Sequence, residues 1–225
     1  MAGEAMNTNP SRKYRTSEKR EATKEQNRAA IEAAAWEVFC TMGIDAANIR
    51  DIVRRSGLSP GTFYNYYRTK EAIFEVLSQN VLERIRSESR AARAKAASVE
   101  EFLSVCYESY LHLLQSIDGA LSFIDRNQHH IRSQVNQSAA VSGLTADLAE
   151  ELRRFVPPGV MSLRDRVLVS SIIIAAGAEA IFQAGRKRWT MKHLREFLTN
   201  FMLRGLCGWQ CLETNSRASD SRGNP

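Results

Sequence analysis

Hydrophobic positions along the chain recur at intervals of three and four, the period of helices packed on one side. Ile31, Ala34, Ala35, Val38 and Phe39 form one such stripe, and predict a helix from Lys24 to Met42, broken at Gly43. A short helix follows from Asn48, a cap with Asp51 as its partner three residues on. In it Ile49, Ile52 and Val53 face inward, and Gly57 is suited to end it in the left-handed conformation. Leu58 is expected to plug the turn into the core. Ser59 caps the next short helix, Pro60 fits its first position, and Phe63 and Tyr67 anchor it inward. Thr69 caps a longer helix from Lys70 to beyond Ile85, whose later part is strongly polar and reads as a connector.

Five further helices are expected. Ser98 and Glu101 form a capping box before a wide apolar arc that includes Phe102, Val105, Cys106, Tyr110 and Leu114. Asp118-Gly119 marks a break, and an unusually polar helix runs from Leu121 to Ser138. Another runs from Leu144 to Phe155, before Pro157-Pro158-Gly159. Ser162 and Asp165 cap a long apolar helix to Gln183, and Thr190 opens a last one ending near Leu212. No stretch shows strand alternation or an internal repeat, so the fold class is all-α. The predicted organisation is a basic, disordered arm (1–23), a three-helix unit (24–70), a helical domain (71–212) and a disordered tail (213–225).

The segment 48–71 stands out because its third helix turns aromatic, hydroxyl and amide groups outward where an apolar face would be ordinary. Gly61, Thr62, Tyr64, Asn65 and Tyr66 lie outward or along the edges. Two short helices joined by a glycine turn, the second with such a face, are the build of a helix-turn-helix DNA reader. Lys70 in the first turn of a helix is unfavourable for the helix dipole, and a phosphate bound there would remove the penalty.

Charge placement agrees. The 225-residue chain has a formal net charge of +6. Residues 1–95 hold 17 Lys and Arg against 12 Asp and Glu (+5), and residues 96–225 hold 14 against 13 (+1). The excess lies with the reader, as a phosphate-binding module needs. Cys40, Cys106, Cys207 and Cys211 form no Cys-x-x-Cys pair, which speaks against a zinc site and suits a reducing compartment. Adjacent His129 and His130 point to different helix faces, so no metal and no cofactor are expected. The N-terminus is polar and lacks a signal-peptide pattern. The apolar run Val167–Ala178, bracketed by Arg166 and Glu179, reads as a buried helix too short to cross a bilayer. The protein is expected in the cytoplasm.

Over Lys24 to Leu77 the chain resembles the tetracycline-repressor (TetR) family of bacterial transcription regulators. The resemblance rests on Gly43, Arg50-Asp51-Ile52, Gly57-Leu58-Ser59, Gly61 to Tyr67, Lys70-Glu71-Ala72 and Phe74. Asn48, Val53 and Tyr67 depart from the family's usual Ser or Thr, Ala and Phe. The resemblance implies that Thr62, Tyr64 and Asn65 touch base edges or methyl groups, and that Ser59, Tyr66 and Lys70 hold phosphates. Asn48, Arg50 and Gly61 complete the expected DNA-binding set.

The last two helices read as a subunit interface through Ile172, Ala176, Leu194, Phe197, Phe201, Met202, Gly205 and Trp209. The same residues could fill the chain's own core. The resemblance decides for a homodimer, whose two readers would span a near-palindromic site. It also implies a small-molecule pocket in the middle helices. Candidate lining residues are Phe102, Cys106, Tyr110, Phe123, Phe182 and Trp189, with polar points at Arg126, Asn127 and His130. Arg126, His129 and Arg132 suit an acidic ligand such as an acyl thioester, and a solvated face explains them equally well.

The function expected from sequence is therefore a repressor released from its operator by a ligand. The alternative is a DNA-bound structural or cell-division protein that senses nothing. An enzyme is not expected: there is no nucleophile elbow, no phosphate-binding glycine loop after a strand, and no paired carboxylates in a clear cleft.

Overall fold

The computed structural model describes residues 10–134, 138–187 and 189–220, with side chains over 18–133, 138–184 and 189–206. The described residues form ten helices and no strand: α1 (Pro10–Met42), α2 (Ile49–Ser56), α3 (Pro60–Tyr64), α4 (Lys70–Ala94), α5 (Val99–Ser116), α6 (Ala120–Arg126), α7 (Gln128–Gln134), α8 (Ala139–Leu152), α9 (Leu163–Lys187) and α10 (Met191–Asp220). They divide into two compact units, Met1–Leu77 and Ser78–Pro225. The division falls inside α4, a few residues beyond the sequence-based boundary.

In the first unit the expected stripe of α1 is the core. Ile31, Ala34, Ala35, Val38 and Phe39 are all buried, as are Ile52, Phe63, Ile73 and Phe74. The Phe39 and Phe74 rings meet edge-on, centroids 5.5 Å apart. Of the three apolar residues of α2, Ile52 is fully buried while Ile49 and Val53 are half-buried. The helix begins at Pro10, earlier than expected, so residues 10–23 are helical and only 1–9 of the arm lie outside the described residues.

In the second unit α5 packs on α10, and α8 on α9. Phe102, Leu103, Tyr107, Leu148, Leu152, Ile173, Leu198 and Met202 share one apolar core. Several boundaries differ from expectation. The helix expected over Leu121–Ser138 is broken at Asn127, whose buried side-chain amide donates to the Phe123 carbonyl at 2.6 Å. The Asn127 backbone N–H reaches the same carbonyl at 3.2 Å, and the residue leaves helical geometry at φ −116°, ψ 18°. Ser138 instead caps α8, which starts before Leu144. Ser98 caps α5 as expected, but the Glu101 carboxylate accepts from the N–H of Ala97, one residue outside the cap. The last helix continues to Asp220, through residues expected to be a disordered tail.

Two arginines tie α4 to α8 with paired bonds. Arg86 donates to Asp147 at 2.6 and 3.2 Å, and Arg93 to Glu151 at 2.7 and 3.2 Å. Arg93 is 1% exposed and also reaches the Ser89 hydroxyl. The polar end of α4, read from sequence as a connector, is partly a buried ionic seam.

Over Leu163–Ala184, α9 is long and apolar enough to cross a membrane by length and composition alone, with a mean hydropathy of 1.8. The charge-free run Val167–Ala178 inside it is the shorter stretch read from the sequence. The expected burial of the helix is only half right. Val169, Ser170, Ile173, Ile181 and Phe182 are buried, while Leu163, Val167, Leu168 and Ile172 are exposed.

Candidate nucleic-acid interface

The reader is assembled from local capping chemistry. The Asn48 side chain accepts from the Asp51 N–H, and the Asp51 carboxylate accepts from the Asn48 N–H, closing a reciprocal box at the start of α2. Gly57 ends α2 at φ 69°, a region costly for any residue with a Cβ. Ser59 then accepts from the Thr62 N–H at 3.1 Å and shares a hydroxyl contact with Thr62 at 2.9 Å. Phe63 and Tyr67 are buried beneath α3, and the Tyr67 hydroxyl donates to Glu32 of α1. Burial and that carboxylate push the tyrosine well above its ordinary pKa, so it stays a neutral donor.

Anchored in this way, α3 turns the remaining side chains out. Tyr64 is 55% exposed, its ring edge-on to Phe63. Asn65 is exposed and Tyr66 half-exposed. Among the described residues, the polar atoms of these three side chains have no protein partner. Gly61 is informative for what does not surround it. A Cβ added there would meet only the Ser59 Oγ, at an ordinary 3.8 Å. Nothing inside the chain demands a glycine at that point.

The cations sort themselves. Arg54 pairs with Asp51, and Arg55 with Glu37. Arg50 is exposed and, among the described residues, makes no ion pair. Asn48 spends its side-chain oxygen on the cap and keeps its amide N–H groups. Lys70 departs from expectation. Its ammonium is turned back onto the Ile44, Asp45 and Ala47 carbonyls, and not out toward a phosphate. The sequence contains no signal for this, because those carbonyls lie 23 to 26 residues earlier and meet Lys70 only on folding.

The expected pocket residues divide. Phe102, Phe123, Asn127 and Phe182 are buried, and Cys106, Tyr110 and His130 half-buried. Burial pushes the Cys106 thiol up to about 12, so it is an inert thiol at neutral pH. The Tyr107 hydroxyl donates to the Ile173 carbonyl at 3.3 Å. Arg132 lies 4.1 Å over the Phe182 ring and pairs with Glu179 at 2.6 Å. Two candidates are not interior. Arg126 is exposed, and Trp189 heads an exposed aromatic row on the surface.

That row is Trp189, His193, Phe197 and Phe201, with successive ring centroids 5.9, 6.5 and 6.0 Å apart. Phe197 is 54% and Phe201 62% exposed, and Leu168 and Ile172 of α9 are exposed as well. Leu194 and Met202, expected on the same interface, are buried in their own unit. They lie on the strip of α10 next to the exposed one, because a stripe covering positions three and four apart is wider than one packing surface. Ala176 is half-buried and Gly205 exposed, while the Trp209 side chain lies outside the described residues.

A helix-turn-helix with an anchored second helix and a polar outward face is the build of a DNA reader. Residues 31–77 match the family model for bacterial regulatory proteins of the tetR family. Over 49 residues the chain is 43% identical to the uncharacterised HTH-type transcriptional regulator YvdT of Bacillus subtilis (strain 168), a match covering 22% of this chain and 25% of that one. The likeness in fold extends much further. The fatty acid degradation regulator FadR from Bacillus halodurans aligns over 80% of this chain and 96% of its own, with a TM-score of 0.65 at 21% identity. FadR from Bacillus subtilis, solved with stearoyl-CoA, aligns over 78% and 97%, with a TM-score of 0.63 at 18% identity. Residues 31–77 thus carry the tetR-family pattern, and the chain as a whole shares the fold of these regulators.

Proposed function

We propose that the protein is a homodimeric repressor that reads a near-palindromic operator and is released from it by a small acidic ligand. The observation that carries the reading is the outward face of α3. Tyr64, Asn65 and Tyr66 are held in place by Phe63 and Tyr67 while their own polar atoms have no protein partner. Asn can pair bidentately with adenine, and Thr62 can touch a thymine methyl. Arg50, the Asn48 amide, Ser59 and Tyr66 supply phosphate contacts, which fix register without reading sequence. The open position at Gly61 lets a DNA backbone approach α3 closely.

Dimerisation is supported by the exposed aromatic row on α10 beside exposed Leu168 and Ile172 on α9. An apolar surface of that kind is what a second copy would cover. Two such faces would form a four-helix bundle and set the two readers about 34–36 Å apart. For the effector, buried Phe123 and Phe182, with Arg132 over the Phe182 ring, suit an apolar body carrying an anionic group. The fold neighbour solved with stearoyl-CoA binds a ligand of that general kind. Release requires the ligand to bind the DNA-incompetent state more tightly than the competent one.

Nuclease footprinting on a bound genomic fragment tests the proposal. The expected footprint is two protected half-sites one helical turn apart, absent with Tyr64→Ala and lost on adding a long-chain acyl thioester. A footprint unchanged by Tyr64→Ala would remove α3 from the account. One that ignores every acidic amphiphile would remove the proposed effector class.

A further inference from the structure

A cleft of about 730 Å³ opens at the turn between α8 and α9, within the second unit. Small-molecule sites span roughly 300–1,000 Å³. Three arginines line the cleft, Arg153, Arg154 and Arg166, and Phe155, Val156 and Met161 supply an apolar wall. Among the described residues, no carboxylate lines it. The turn is fixed by its own sequence. The Val160 N–H donates to the Pro157 carbonyl at 3.2 Å, with Pro158 second and Gly159, at φ 86°, third. That is a type II arrangement, whose third position favours glycine.

Two of the arginines are held in place without being neutralised. Arg154 donates to the Arg93 and Ala94 carbonyls at 2.8 Å each, at the end of α4, and to the Glu151 carbonyl at 3.4 Å. Arg166 donates to the Ala149 carbonyl at 3.0 Å and the Met161 carbonyl at 3.1 Å. Among the described residues, neither makes an ion pair. Arg153 pairs with Glu150 at 2.9 Å, but both side chains are largely exposed, and such a pair is weak. A guanidinium has five N–H donors, so Arg154 keeps two and Arg166 three beyond these bonds. Capping explains the carbonyl bonds but not the charge. A helix end carries about half an elementary negative charge, so the ends of α4 and α8 together offset about one of the two unpaired cations. The cleft keeps a net positive charge. Its cations are already ordered, so an anion loses little binding energy in fixing them.

We propose that this cleft is a binding site for the phosphate groups of a small anionic metabolite. Arg154 and Arg166 are anchored on the last turn of α8, at the Glu151 and Ala149 carbonyls. Their remaining N–H groups grip phosphate oxygens, because the planar fork of a guanidinium matches that geometry. The apolar wall covers the rest of the molecule. Phe123, Arg132 and Phe182, which carry the proposed effector site, do not line this cleft. An anion bound here is therefore a second ligand, and the proposal stands apart from the effector reading.

The test titrates inorganic pyrophosphate into the full chain by calorimetry, in phosphate-free buffer at physiological salt, and follows amide exchange over residues 153–166. Arg166→Gln removes one cation. Pro158→Glu adds a carboxylate at an exposed position lining the cleft, and leaves every arginine in the sequence. Wild type is expected to bind pyrophosphate saturably, with slower exchange over 153–166. Each variant is expected to bind about tenfold more weakly. Pro158→Ala is expected to bind as wild type does, which separates the added charge from the lost proline. Absence of saturable binding by wild type would overturn the proposal. So would binding that Pro158→Glu leaves at full strength, since the anion would then sit elsewhere, on the DNA reader for instance. Equal loss in Pro158→Ala and Pro158→Glu would overturn the electrostatic reading of the cleft. Citrate bound in preference to pyrophosphate would overturn the assignment to phosphate.

Discussion

The side chains that read DNA in this account are supported by neighbours that cannot themselves touch it. Phe63 and Tyr67 bury the inner face of α3, which frees Tyr64 and Asn65 from any structural duty. Removing either outward side chain should leave the fold intact. Tyr64→Ala or Asn65→Ala is expected to cost about 1–3 kcal/mol of preference for the specific site, measured as the ratio of specific to random affinity. Gly61 gives a sharper contrast. Its Cβ position is open, so Gly61→Ala should fold at least as stably, by up to about 0.5–1 kcal/mol. The same change should weaken DNA binding, since a methyl group would then stand where a backbone must approach. A stability gain in thermal melts together with unchanged affinity would contradict that role. Most of this residue-level picture was legible in the sequence. Spacing separates Phe63 and Tyr67 from Tyr64 and Asn65, and the caps at Asn48 and Ser59 are local patterns. The direction of Lys70 was not legible, because its partners are backbone carbonyls brought near by the fold.

At the scale of helices, ends and seams account for what holds. The reciprocal box at Asn48 satisfies donors that the start of α2 would otherwise leave open. Asn48→Ala should lower stability by about 1 kcal/mol in thermal or urea unfolding. Between α4 and α8 the ionic seam carries a pH signature. The Arg86 guanidinium, by its hydrogen bond and then its charge, holds the Asp147 carboxyl below its ordinary value. A carboxyl whose folded value is depressed adds stability above the unfolded value, near about 3.9, and loses it as pH falls through the folded one. Wild type should therefore lose more stability between neutral pH and pH 3 than Asp147→Asn does. Parallel curves would remove the seam from the account. Gly143 belongs to the same seam, since a Cβ there would fall 2.7 Å from the Arg86 guanidinium. Helix existence and most caps were readable from periodicity. The burial of Arg93 was not, because its partner Glu151 lies 58 residues on and is brought near by packing.

Across the whole molecule, the two last helices face two ways. Leu194, Leu198 and Met202 close the second unit's core, while Phe197 and Phe201 stand outside it. The sequence showed one broad stripe and no means of dividing it; packing within the chain makes the division. If a second copy covers the outer face, Phe197→Glu with Phe201→Glu should give a folded monomer by light scattering. The same variant should lose affinity for a two-half-site DNA far more than for a single half-site. Retained dimers would place the interface elsewhere. The central claim is that this chain is a dimeric, sequence-specific DNA reader. It is tested most directly by selecting preferred sequences from random duplex DNA with the purified protein at physiological salt. The account predicts enrichment of an inverted repeat whose half-sites lie one helical turn apart. Folded protein that enriches no sequence, or only an unpaired half-site, would contradict it.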